Sequence, residues 1–139
     1  NDPDTYKFEL GKGVELKSGK DITIIATGLC VSESLKAAEM LKEAGVDAQV
    51  INIHTIKPID EDIIINAAKK TGRIFTVEEH SIIGGLGSAV MEVLSEKYPT
   101  KVTRIGVNDT YGCSGPAKEL LHVFGLDAEG IAAKIKENL

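Results

Sequence analysis

Tryptophan is absent from this chain of 139 residues, and aromatic residues make up only 4% of it. That scarcity removes the stacking platforms on which single-strand nucleic-acid binders lay their bases. Positive charge is in deficit as well. Sixteen Lys and Arg stand against 21 Asp and Glu, a formal net charge of −5 with a pI near 5.2. No basic field is therefore present to draw a phosphate backbone or an anionic lipid surface, and neither nucleic acid nor a membrane is an expected partner. Cysteine is limited to Cys30 and Cys113, too few and too far apart for a disulfide-stapled secreted scaffold or a CxxC redox or zinc element. A reducing, cytoplasmic setting is the expectation. No apolar run approaches the roughly 20 residues that a membrane span needs, and the polar start Asn1-Asp2-Pro3-Asp4 lacks the charged-then-apolar order of a secretory signal. An initiator methionine is missing too, which predicts a section of a longer protein. What is there suffices for a folded core, with 42% hydrophobic and 27% charged residues in a length suited to one domain over 1–139.

The apolar pattern alternates between two periods. Val14-Glu15-Leu16 reads as a short edge strand, and Ile22-Thr23-Ile24-Ile25-Ala26-Thr27 as a central strand covered on both faces, because β-branched residues run through it without a polar break. From Val31 the spacing of Leu35, Ala38 and Leu41 predicts a helix with Ser32 as its N-cap and Gly45 beyond its end. A strand over Ala48 to Ile53 follows. Asp60 then caps a second helix that carries Ile63, Ile64, Ala67 and Ala68 and closes at Gly72. Arg73 to Val77 is the next strand. Leu86, Ala89, Val90, Val93 and Leu94 mark a third helix ending near Pro99, and Val102 to Val107 a further strand. Pro116 opens a helix with Leu120 and Leu121 that stops at Gly125, and Asp127 caps a last one with Ile131, Ile135 and Leu139 on one face. Strands alternating with helices predict a three-layer α/β/α fold around a mostly parallel sheet.

In such sheets ligands collect beyond the carboxyl ends of the strands. Thr27-Gly28-Leu29-Cys30 has one glycine where a dinucleotide fingerprint needs three and no Walker lysine, so an ordinary strand-to-helix turn is preferred to a phosphate cradle. Gly85-x-Gly87-x-x-Val90 lacks the last glycine of that fingerprint. Its glycines either let backbone N–H groups approach an anion or let a helix sit close against the sheet or a partner subunit, and close packing is the preferred reading. His80 beside Glu78 and Glu79 could make an acid–base pair, although neighbouring strand residues point to opposite sides; a structural or interface histidine is preferred. Asp60, Glu61 and Asp62 are read as helix-starting residues. Cys113 lies near a helix start without a partner histidine in view. His54 and His122 stand in no metal spacing, and no catalytic, cofactor or metal residue is assigned.

Three linked stretches resemble the C-terminal domain of transketolase. They are Ile51-Asn52-Ile53-His54-Thr55-Ile56-Lys57-Pro58-Ile59-Asp60, then Val77-Glu78-Glu79-His80 through Gly84-Gly85-Leu86-Gly87-Ser88-Ala89-Val90, then Asp109-Thr110-Tyr111-Gly112-x-Ser114-Gly115 with Glu119-Leu120-Leu121 and Phe124-Gly125-Leu126. The order and spacing hold from about Tyr6 to Leu139. Relatives with the same domain are deoxyxylulose-phosphate synthase and the β subunit of 2-oxoacid dehydrogenases, and the His80-x-x-x-Gly84-Gly85-Leu86-Gly87 form is closest to transketolase. Tyr111 and Cys113 stand where many relatives have Phe and often Glu.

The resemblance implies a five-stranded, mostly parallel sheet with one antiparallel strand, which the early strand at Val14 to Leu16 would supply. It implies a transferase of carbohydrate metabolism, in the pentose phosphate pathway, that moves two-carbon ketol units between sugar phosphates. Thiamine diphosphate and a divalent cation such as Mg would be held by upstream domains of different subunits, with no cofactor in this section. The section itself is expected to be inactive and to serve assembly, as part of a homodimer joined to upstream domains or an upstream subunit. Gly84, Gly85 and Gly87 are then packing candidates, and Glu78, Glu79 and His80 candidates for an interdomain or inter-subunit hydrogen bond. A nucleotide- or phosphometabolite-binding regulatory module using helix starts near Gly28, Gly87 and Gly115 is the alternative, and an acid–base enzyme built on His80 and Glu78 a third.

Overall fold

The computed structural model describes residues 13–27, 30–53, 59–81, 85–107 and 128–139. Within these, strands β1 (Val14–Lys17), β2 (Ile22–Ala26), β3 (Ala48–Asn52), β4 (Arg73–Ser81) and β5 (Lys101–Val107) are interleaved with helices α1 (Cys30–Glu43), α2 (Glu61–Thr71), α3 (Leu86–Lys97) and α4 (Ala128–Glu137). The five strands form one sheet in the order β1-β3-β2-β4-β5. β3, β2, β4 and β5 run parallel, while β1 lies antiparallel to β3 at the edge. This is the mixed sheet that the resemblance implied.

The two-residue period of a strand sends alternate side chains to opposite faces, and the sheet divides its core that way. Ile22, Ile24 and Ala26 of β2 pack with Phe75 and Val77 of β4 against Cys30, Ala37, Ala38 and Leu41 of α1 and Ile131, Ala132 and Ile135 of α4. On the other face Ile25, Ile51 and Ile74 meet Ile64, Ala67 and Ala68 of α2 and Leu86, Val90, Val93 and Leu94 of α3. Both faces of β2 are thus covered, which is why all five of its residues are buried.

Helix boundaries follow local chemistry where the capping groups are local. The Asp60 side chain accepts from the Ile63 N–H at the start of α2, and Gly72 closes that helix at φ 72°, a left-handed conformation that L side chains resist. α1 begins at Cys30, three residues earlier than a cap at Ser32 predicts, so Ser32 lies in its first turn. β4 continues beyond Val77 to Ser81 because β5 offers it a partner that far: Glu78 pairs with Gly106 and Ser81 with Val107. Leu139, expected on the buried face of the last helix, is 53% exposed beyond the end of α4 at Glu137. The predicted helix after Pro116 and the Asp127 cap lie outside the described residues.

Polar groups hold the antiparallel edge at the amino end of the parallel strands. The Thr23 hydroxyl donates to Gln49 Oε1 at 2.9 Å and lies 2.8 Å from Thr71 Oγ, and Gln49 Nε2 donates to Glu15 on β1. Gly19, in the β1–β2 turn, presses against the backbone of Ala48, and a Cβ there would lie 2.2 Å from the Ala48 carbonyl carbon. Only a residue without a side chain lets the turn close. Gly19→Ala is expected to lower stability by about 1–3 kcal/mol through this overlap. Gly45→Asn, at φ 86° with open space around it, is expected to cost less, since Asn tolerates that conformation. Urea unfolding of the two variants checks the order.

Candidate functional site

The stretch that stood out in the sequence lies at the carboxyl end of β4, on the face covered by α3. Alternation along β4 turns Thr76 and Glu78 toward α3, opposite to Phe75 and Val77. Glu78 is only 1% exposed. A carboxylate taken so far from water must be satisfied by hydrogen bonds, and the start of α3 supplies them. Oε1 accepts from the Leu86 N–H at 2.9 Å and Oε2 from the Gly87 N–H at 2.8 Å.

Those two donors are among the amides that a helix cannot satisfy within itself at its amino end. The N-cap residue of α3 is Gly85, which has no side chain to offer. The missing cap is therefore provided by a strand residue, and its negative charge also faces the positive end of the helix dipole. The glycines follow from the same geometry. A Cβ on Gly85 would lie 2.1 Å from Glu78 Oε1, and one on Gly87 would lie 2.6 Å from Arg104 Cγ and Cδ and 3.0 Å from Thr76 Oγ1. Any side chain at Gly85 would displace the carboxylate.

Past Glu78 the pairing of β4 with β5 shifts register before Ser81, so Glu79 and His80 occupy an irregular step at the strand end. Such a step breaks the alternation by which side-chain direction is read from a sequence. The side chains of Glu79 and His80, and Gly84 entirely, lie outside the described residues. With 1% exposure and both oxygens bonded to α3, Glu78 is not presented to a ligand for proton transfer.

Two more helix starts are closed by carboxylates. Asp60, 9% exposed, accepts from Ile63 N at 3.3 Å through Oδ1 and from Gly13 N at 2.9 Å through Oδ2, so it caps α2 and ties down the approach to β1. Glu33 on α1 accepts from Ala128 N at the start of α4 at 3.1 Å, and its other oxygen pairs with Lys36 at 3.2 Å. The Asp60 cap was legible because it is local. Glu78 and Glu33 act across 8 and 95 positions of sequence, and no spacing rule points to them. The β4 pattern turning from apolar to Glu78 just before a glycine-started helix was the only available signal for the first.

This arrangement bears on phosphate binding. A phosphate at a helix start needs free amides, and the Gly87 amide proposed for that purpose already holds Glu78. Gly28 and Gly115 lie outside the described residues. A diphosphate-bearing cofactor such as thiamine diphosphate does not fit the starts of α2, α3 or α4, where its charge would meet a carboxylate. Cys30, the first residue of α1, is buried in the core cluster that α1 shares with α4, and Cys113 lies outside the described residues. Among the described residues no group of three or more His, Cys, Asp and Glu converges as a metal site.

Comparison with known proteins agrees with the fold. Residues 11–131 match the family model of the transketolase C-terminal domain. The chain is 53% identical over 133 residues to a Methanocaldococcus jannaschii protein named as a transketolase C-terminal section, covering 95% of this chain and 41% of that one. It is 42% identical to 1-deoxy-D-xylulose-5-phosphate synthase 1 of Geobacter sulfurreducens, covering 95% of this chain and 21% of the synthase. Among solved structures, a split-gene transketolase in an inactive β4 tetramer superposes with a TM-score of 0.90 at 47% identity, over 99% of this chain and 45% of that one. The chain thus spans less than half the length of each.

Removing the buried carboxylate leaves two amides without partners and a gap shaped to an anion. Glu78→Ala is expected to lose about 2–4 kcal/mol of stability. Formate is expected to restore part of it, raising the melting temperature of the variant with concentration while leaving the wild type almost unchanged. Thermal melts across a formate series, with chloride at matched ionic strength as control, read this directly.

Proposed function

Because the chain belongs to the transketolase C-terminal-domain family, we propose that it is the non-catalytic assembly domain of a thiamine-diphosphate-dependent transketolase. The intact enzyme transfers two-carbon ketol units between sugar phosphates, as in the pentose phosphate pathway, in the cytoplasm. Its thiamine diphosphate and Mg are held by upstream domains, on the same chain or on a separate subunit, and the assembled enzyme is dimeric about that partner. The 53% identity to a transketolase section, against 42% to a deoxyxylulose-phosphate synthase, favours ketol transfer over the synthase reaction. The inactivity of the β4 tetramer in the split-gene relative agrees with a subunit that needs its partner for catalysis.

The observation that carries this reading is the closure of the helix starts by Asp60, Glu78 and Glu33. The polar groups with which an α/β sheet ordinarily receives a phosphorylated ligand are turned inward at α2, α3 and α4. That inward use favours a scaffold over a regulatory phosphometabolite module. Gly85 and Gly87 serve close packing of α3. Glu79 and His80, in the irregular step at the end of β4, make the contact with the neighbouring domain or subunit. Glu78 supports that contact from behind by fixing α3 to the strand.

Calorimetric titration of the folded fragment with thiamine diphosphate and Mg is expected to give no heat beyond dilution, and a defined stoichiometry would overturn the assignment. In the intact enzyme, His80→Ala is expected to weaken subunit association about tenfold, equivalent to about 1.4 kcal/mol, with the unfolding midpoint of the domain unchanged. Sedimentation of the wild type and variant measures the first quantity and urea unfolding the second. Equal association constants would remove His80 from the interface.

A further inference from the structure

We draw no further inference here: the strongest candidate, the exposed apolar patch of Met91 and Tyr98 on the outer side of α3, with Lys69 of α2 over the Tyr98 ring, has nothing in the structure to show what covers it.

Discussion

The bond between the Glu78 carboxylate and the first amides of α3 is the constraint on which the carboxyl end of this sheet depends. Burying a carboxylate is unfavourable by several kcal/mol unless its oxygens are satisfied. A bare helix start in the core carries a similar penalty for its amides. Each defect is the remedy for the other, and the helix dipole adds a favourable term of the same sign. Because the two partners belong to different elements, the bond also sets where α3 begins over β4. The apolar stripe of Leu86, Val90, Val93 and Leu94 is thereby aligned with Ile25, Ile51 and Ile74 beneath it. Gly85 has to be glycine for the carboxylate to fit, and Gly87 for Thr76 and Arg104 to lie against the helix. A glycine pair that reads as a ligand motif is thus the negative image of neighbouring side chains.

The same solution recurs with different reach. Asp60 caps α2 from the adjacent position and uses its second oxygen on Gly13. Glu33 reaches from α1 to the first residue of α4, beside the contact of Ile131 and Ile135 with the α1 side of the core. Open α/β sheets commonly take ligands beyond their strand ends because helix starts there offer amides and positive potential. Here three such starts are neutralised internally. The resource that fold analogy would assign to a phosphate is consumed in joining β4 to α3, α1 to α4, and the edge strand to α2.

Much of the architecture was legible because its causes are short-range. The unbroken β-branched run of β2 could only be a doubly covered strand, and Asp60 and Gly72 bracket α2 with groups whose preferences are intrinsic to the residues. The failures have a common origin in distant contacts. Ser32 is a good N-cap by type, but α1 starts earlier, at Cys30, which is buried in the core. The strand expected to end at Val77 runs on, because pairing with Gly106 and the bonds to α3 carry β4 onward. Leu139 fits the helical period of Ile131 and Ile135, yet α4 ends before reaching it, with Asn138 donating to the Lys134 carbonyl in the last turn. For the candidate site, Glu78, Gly85 and Gly87 stand out in the sequence by residue type, but their mutual fit depends on a strand and a helix meeting in space, which no local pattern encodes.

The carboxylates of Asp60, Glu78 and Glu33 satisfy amides at the starts of α2, α3 and α4 from within this chain. Among the described residues the large apolar side chains of both faces are mostly covered by elements of this chain, the exposed ones being Leu16, Met91, Tyr98 and Leu139. The same stretch, about 95% of this chain, aligns with 41% of one relative and 21% of another, so it recurs in proteins of different length. At α2, α3 and α4 the same carboxylates that join neighbouring elements occupy amides that a phosphate would otherwise use.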